Sequence, residues 1–490
     1  MKYLLGIDVG SSSVKCSLVQ IDNGLCIAAA HSPSSEMNID APQKGFAEQD
    51  PNMWWEEFKH ALNKVKAQVA FAKDEIAAIG ISYQMHGLVV VDKEGIPLRP
   101  SIIWCDSRAV EIGNKAFSEM GESFCLSHYM NSPGNLTASK LKWVKENQPE
   151  IYSKIYKIML PGDYIAFKLS GEMKTTVSGL SEGIMWDAKE NRLATDLLKH
   201  YGIDEQLICD IAPQFGIQSV VNSIAAAQLG INEGVPITYR AGDQPNNAFS
   251  LNVLEPGEIA ATAGTSGVVY GVIDQPAYDP ASRVNSFVHV NHTEMQKRFG
   301  VLLCINGTGI LNSWMQKNVF TGMSYPEINA LAATAPIGAD GLTCYPFGNG
   351  AERVLCNADP GSTLKGLHFN RHGRNHLARA TQEGIVNALY YGMEIMVNMG
   401  MQIKTVRAGF ANMFLSDLFA EAFANTSGAS IELFNTDGAQ GAARAAGLGA
   451  GVFKNKQECF TGLKVLKTIE PTSALQRQYS DAYAHWKSNL

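Results

Sequence analysis

Two stretches some 250 residues apart share one design, and few folds accommodate a chain that carries both. Leu4-Leu5-Gly6-Ile7-Asp8-Val9-Gly10-Ser11-Ser12-Ser13-Val14-Lys15-Cys16-Ser17-Leu18-Val19 and Ile259-Ala260-Ala261-Thr262-Ala263-Gly264-Thr265-Ser266-Gly267-Val268-Val269-Tyr270 each read as an apolar strand, a tight turn of Gly and hydroxyl residues, and a second apolar strand. Main-chain N–H groups and Ser/Thr hydroxyls project from such a turn and can hold phosphate oxygens. One Gly/Ser/Thr turn marks an ordinary hairpin. A second of the same build, heading the second half, predicts two halves that face each other across a cleft with a nucleotide triphosphate held between the turns.

The bulk of the chain fits that expectation. Its 490 residues, 46% hydrophobic and 18% charged, suffice for two globular domains with substantial cores. A formal net charge of −7 gives no basic field for nucleic acid or anionic lipid, so a small-molecule partner is expected. The nine cysteines are scattered without a Cys-x-x-Cys pair, which argues against a disulfide framework and a structural zinc site and for a reducing cytoplasm. Met1-Lys2-Tyr3 leads directly into a strand pattern, with no cationic start and apolar run of a targeting segment, and no stretch is apolar enough to span a membrane.

Periodicity predicts strands at 3–9 and 14–21, a helix at 51–72 opened by Pro51, strands from Ile76 to Ser82 and from Leu88 to Val91, and a polar turn Gln84-Met85-His86-Gly87 between them. Residues 105–215 read as mostly helical, an insertion walling a pocket, with helices centred on Ala138 to Asn147 and opening near Pro161-Gly162-Asp163-Tyr164. A strand from Pro236 ends in an acidic turn at Asp243, and the domain boundary is expected near 245–255, giving domains of 1–248 and 249–490. The second half carries an amphipathic helix at about 375–400, and the small-residue helix around Asp437 to Gly447 is expected to be its mate. That small-residue run permits close approach to another element or to a flat ligand.

Several side chains carry possible chemistry, each with a plainer alternative. Asp8, inside a strand that otherwise reads as buried, is expected to anchor Mg²⁺; as a turn-forming Asp it would only close the hairpin. Lys15 reaches either phosphate or solvent. Asp243 is the candidate general base for moving a γ-phosphoryl group to an alcohol, or else a helix cap. Gln84, Met85 and His86 suit the vicinal hydroxyls of a polyol, with Trp104 adding an aromatic face and Asp106 and Arg108 either contacting sugar or fixing their own loop as an ion pair. His368, His372 and His376 are spaced by four, but Gly366 and Gly373 break the helix that would align them on a metal.

Taken in order, Gly6-Ile7-Asp8-Val9-Gly10-Ser11-Ser12, Gln84-Met85-His86-Gly87, Trp104-Cys105-Asp106-Ser107-Arg108, Leu160-Pro161-Gly162-Asp163-Tyr164, Gly242-Asp243, Gly264-Thr265-Ser266-Gly267, Glu383-Gly384 and Gly438-Ala439-Gln440-Gly441-Ala442-Ala443 resemble the FGGY carbohydrate kinases. The resemblance implies a two-domain α/β protein of the actin-like, ribonuclease H-like ATPase fold, an N-terminal sugar-binding and a C-terminal nucleotide-binding domain, and ATP with Mg²⁺ as cofactors. It implies phosphorylation of a terminal hydroxyl of a ketopentose, with D-xylulose favoured by the 84–87 turn; the alternatives are a kinase for ribulose, fuculose, gluconate or glycerol, or a non-catalytic sugar-responsive protein on the same fold. A homodimer is compatible with the resemblance. By the same resemblance Asp243 is the catalytic base, Asp8 the metal-side acid, and Gln84, Met85, His86, Trp104, Asp106 and Arg108 the sugar site. Gly10, Ser11, Ser12, Lys15, Gly264, Thr265, Ser266, Gly409 and Asn412 form the nucleotide site. Two departures from the family pattern stand out, Gln244-Pro245 after the base and Phe410 within the Arg407 to Asn412 turn.

Overall fold

In a computed structural model that describes residues 2–490, the two hairpins head two mixed β-sheets of matching design. The first sheet has six strands in the order Phe215–Val220, Pro236–Gly242, Ile76–Tyr83, Tyr3–Val9, Val14–Gln20, Cys26–Ser32. Tyr3–Val9 runs parallel to Ile76–Tyr83, which runs parallel to Pro236–Gly242, while Val14–Gln20 and Cys26–Ser32 fold back antiparallel. The second sheet has seven strands in the order Asn285–Val288, Phe299–Ile305, Gly267–Ile273, Glu258–Ala263, Thr405–Gly409, Ser430–Phe434, Val465–Ile469. Again a leading strand, Glu258–Ala263, has an antiparallel hairpin mate on one side and the parallel strands Thr405–Gly409 and Ser430–Phe434 on the other. The repetition expected from the hairpins thus extends to whole sheets.

The chain divides into two compact units. The first comprises residues 1–252, 287–298 and 436–463, and the second 253–286, 299–435 and 464–490. The break after residue 252 lies within the expected boundary region, but the expected halves do not remain contiguous. The reason is the small-residue helix Gly438–Gly449, which packs on the strands Tyr3–Val9 and Ile76–Tyr83 of the first sheet. It is not the mate of the amphipathic helix Arg374–Asn398, whose neighbours are the helices Tyr325–Ala333 and Asp417–Ser427.

Small residues are what let that helix lie down. A Cβ on Gly6 would sit 1.8 Å from the Ala439 carbonyl oxygen, and one on Gly80 2.0 Å from that of Ala442. Backbone meets backbone there, so the run serves an element rather than a flat ligand. The other face of the first sheet buries Ile7, Val9, Ile79 and Ile81 in one core with Trp54 and Phe58 of the helix Pro51–Gln68, which Asp50 caps by accepting from the Asn52 N–H.

The insertion is helical as expected, with Thr137–Asn147, Pro161–Ser170 and the short Val177–Glu182 among its helices. Asp163 ties the second of these down, accepting from the Leu160 N–H at 3.1 Å and pairing with the fully buried Arg240 at 3.2 Å. Among the described residues no helix is long and apolar enough to cross a membrane.

Candidate active site

Parallel pairing decides where the polar turns end up. Val9 pairs with Tyr83 and Tyr83 with Gly242, so the residues that follow, Gly10, Gln84 and Asp243, leave the sheet side by side at one edge. In sheets of this kind ligands bind beyond the carboxyl ends of the parallel strands. Asp243 opens the helix Asp243–Ser250, where the positive end of the helix dipole favours an anion.

Asp243 and Asp8 are both half-buried and bear on each other electrostatically. Burial, and next the Asp8 charge, push the Asp243 carboxyl up to about 7, while N–H groups of Gln244 draw it back. Burial also raises Asp8, with Lys15, its cross-strand partner, and Ser82 opposing that rise and Asp437 adding to it. Asp8 lies against the start of the Gly438–Gly449 helix, where a Cβ on Gly438 would come within 2.6 Å of its Oδ2. The glycine leaves room for the carboxylate.

The 84–87 turn is locked to the first hairpin. The Gln84 N–H donates to the Val9 carbonyl at 2.8 Å, and the Gln84 side chain donates to Gln49 Oε1 at 3.2 Å. Gln49 in turn donates to the Ser11 carbonyl at 2.7 Å and accepts from the Trp54 indole. His86 takes a left-handed φ of 61°, its Nδ1 lies 2.9 Å from the Glu182 carbonyl, and its ring packs against Phe287. Met85 is buried, so of the three expected sugar contacts His86 is the one with appreciable exposure.

Trp104 stands 47% exposed and donates to the Ser11 hydroxyl at 3.2 Å, which joins the aromatic wall to the hairpin turn. Asp106 and Arg108 are turned inward. The Asp106 carboxylate is fully buried, accepts from the Ala47 N–H at 2.6 Å and grips the Arg108 guanidinium at 2.6–3.0 Å. Arg108 also pairs with Glu48 at 2.6 Å and lies over the Phe46 ring at 3.7 Å. Asp106 and Arg108 thus bind each other in the loop that carries Trp104, with Arg108 Nε and Nη2 engaged by the carboxylates of Asp106 and Glu48.

In the second unit the Gly264-Thr265-Ser266 turn is again at the carboxyl end of a leading strand, with Thr265 exposed. Gly409 ends the neighbouring parallel strand, and Asn412 follows at φ 53°, its Nδ2 3.5 Å from where a Gly264 Cβ would stand. Gly309 and Ile310 donate to the Gly264 and Thr265 carbonyls at 2.8 and 3.0 Å. Beside them Ile310, Trp314, Met315, Pro346 and Leu364 line a cavity of about 390 Å³. Phe410 is half in solvent, its N–H bonded to the Phe434 carbonyl at 2.8 Å. Ser12 and Lys15 are exposed on the first hairpin, with Gly10 and Ser11 half-buried beside them.

Three residues of the site escaped the sequence reading: Gln49, Lys140 and Glu182. Lys140 is fully buried, donates to the His86 and Ile103 carbonyls at 2.8 and 2.9 Å, and is pulled down to about 8 by burial. Glu182 is 2% exposed, and burial holds its carboxyl well above the usual range. Lys140 is one of three lysines on the polar helix Thr137–Asn147, so no local signal set it apart. The histidines 368, 372 and 376 do not share a helix, because Arg374–Asn398 begins after the first two. Among the described residues no group of His, Cys, Asp or Glu could hold a metal by three side chains.

Comparison with known proteins matches this arrangement to one family. Residues 3–250 match the model of the N-terminal domain of the FGGY family of carbohydrate kinases. A xylulose kinase of Staphylococcus epidermidis is 27% identical over 494 aligned residues, covering 99% of this chain and 96% of the relative. One of Bacillus subtilis is 27% identical over 468, covering 94% and 90%. A solved xyloylose kinase from Brucella ovis superposes with a TM-score of 0.89 at 26% identity, covering 99% of this chain and 98% of that one. A glycerol kinase from Plasmodium falciparum solved with ADP shares the fold, at a TM-score of 0.88 and 19% identity over 100% of this chain and 98% of that one. Matching sheets, the hairpin pair and full-length likeness converge: the chain has the actin-like ATPase fold and is a carbohydrate kinase of the FGGY family.

Proposed function

We propose that the chain transfers the γ-phosphoryl group of ATP to a terminal hydroxyl of D-xylulose, yielding D-xylulose 5-phosphate. The observation that carries this reading is the alignment of Gly10, Gln84 and Asp243 at one sheet edge, which sets a phosphate-type turn, a polyol-type turn and a carboxylate with a raised pKa side by side. The full-length relatives named xylulose kinase support the choice of sugar.

In this reading Asp243 accepts the proton of the attacking hydroxyl as the new O–P bond forms and the bond to the ADP leaving oxygen breaks. Gln84, Met85 and His86 shape the sugar site, with Trp104 as its wall and the Asp106–Arg108 pair holding that wall from behind. Gly10, Ser11, Ser12 and Lys15 serve the phosphates on the first unit. Gly264, Thr265, Ser266, Gly409 and Asn412 do so on the second, and the adjoining apolar cavity suits the nucleotide base.

Asp8 would hold Mg²⁺. The donor set fits, since Mg²⁺ keeps most of its waters and is bound by one or two carboxylates with substrate phosphates, and Asp8 and Asp243 offer two mutually repelling carboxylates. Bound there, the ion would neutralise charge on the transferring phosphoryl group.

A coupled assay of ADP release across D-xylulose, D-ribulose, L-fuculose, gluconate and glycerol tests the reading. D-xylulose should give the highest kcat/KM, and Asp243→Asn should lower kcat by about 10²–10⁴-fold, the usual weight of a general base. Sugar-independent ATP hydrolysis, or a preference for another acceptor, would displace it.

A further inference from the structure

The side chain with least apparent reason to be where it is belongs to Glu182. It ends the short helix Val177–Glu182, is 2% exposed, and neither carboxyl oxygen has a hydrogen-bond partner. The Tyr83 hydroxyl faces it without closing a bond of normal geometry. A buried carboxyl left this way costs several kcal/mol if ionised, and it persists only where the surroundings fix it.

Its surroundings are the sugar side of the site. A Cβ on Gly242, the residue before Asp243, would meet Met85 Cγ at 2.5 Å and Glu182 Oε2 at 2.6 Å. The Glu182 side chain thus fills the gap that Gly242 leaves, with Met85 on its flank. Its main-chain carbonyl lies 2.9 Å from His86 Nδ1, and a carbonyl can only accept, so Nδ1 carries a proton. Next to it, Ser181 Oγ accepts from the Val288 N–H at 2.9 Å, securing the strand end whose Phe287 packs on His86.

We infer that Glu182 is a positioning residue of the sugar site: its carbonyl holds a proton on His86 Nδ1 and its carboxyl wedges Met85 and Gly242 into register beside Asp243. The inference rests on the kinase reading above. Burial holds the carboxyl well above the usual range, and the side chain acts through its shape, filling the space beside Gly242 and Met85. The ionisable groups that face it are Tyr83, Asp163, Asp243 and Lys140; of these Lys140 alone is a cation, and its ammonium is already given to the His86 and Ile103 carbonyls.

The experiment measures D-xylulose binding by calorimetry in the full-length Asp243→Asn protein, so that it reads sugar affinity whether or not Asp243 is the base. In that background Glu182→Ala should weaken binding at least tenfold, and Glu182→Gln, neutral and of the same shape, should restore it to within about threefold. With Asp243 intact, Glu182→Ala should raise the sugar KM by a similar factor and leave the ATP KM unchanged. Nitrogen-detected NMR of the ring should show His86 protonated at Nδ1. Unchanged sugar affinity in Glu182→Ala, a Gln variant as weak as the Ala variant, or His86 without a proton at Nδ1 would each overturn the inference. An active Asp243→Asn enzyme would instead remove the catalytic assignment and leave the binding comparison standing.

Discussion

Asp243 is held near pH 7 by its own burial and by the carboxylate of Asp8. In the proposed role of general base Asp243 is free of its proton only above that pH, and kcat/KM should rise with pH to a bend near 7. In metal-free protein, carbon-detected NMR titration should show Asp8→Asn moving the Asp243 carboxyl to lower pKa, because that variant removes a repelling charge. No movement would break the link between the two acids.

The same shift has a stability sign. With the folded pKa above the usual 3.8, the folded state keeps a proton that the unfolded state has lost between pH 3.8 and about 7, so this group's contribution declines across that window and stays low above it. Asp243→Asn should therefore raise Tm relative to the parent at pH 8 and give little gain at pH 4. Calorimetry at the two pH values reads the difference directly.

Arg108 balances two carboxylates, Asp106 and Glu48, in a site where its side chain is 1% exposed. Arg108→Ala should lower stability by about 3–5 kcal/mol, the loss expected when one partner of a buried ion pair is removed. Denaturant unfolding measures this. Trp104 fluorescence should change in the same variant, since the loop that carries it is released.

Glu352 is fully buried and accepts the Asn306 N–H with both oxygens at 3.0 and 3.1 Å, two residues before the Thr308-Gly309-Ile310 stretch that bonds the second hairpin turn. Glu352→Ala should lower stability by about 1–3 kcal/mol by stranding that donor. It should also raise the ATP KM more than the sugar KM, which steady-state kinetics with each substrate varied would show.

Gly80 lies under Ala442 with no space for a methyl group. Gly80→Ala should destabilise by about 1–3 kcal/mol or more, because backbone rather than a flexible side chain must yield. A melting temperature close to the parent's would show that the helix can ride up without loss.

Much of this was legible in the residues. Both hairpins, the helix after Pro51 and the strand ending at Gly242 announce themselves through local periodicity and turn residues, and these are the elements that bring Gly10, Gln84 and Asp243 to one edge. Partnership across long separations was not. Nothing around Gly438 says that its helix covers Gly6 and Gly80, since small residues signal close packing without naming the partner. Asp106 and Arg108 were readable as a pair, but whether they faced a ligand or each other depended on Ala47 and Glu48, far away in the chain. Glu182 and Gln49 carried no pattern, because each matters through neighbours that only the folded sheet assembles.

The placement of the Gly438–Gly449 helix on the first sheet sets the order in which this protein can mature on the ribosome. Strands completed within the first 252 residues must wait, one face uncovered, until nearly two hundred more have been synthesised. The first unit to be started is thus among the last to be sealed, and a chain cut short before residue 438 would leave Gly6, on the strand that carries Asp8, and Gly80 beside it uncovered.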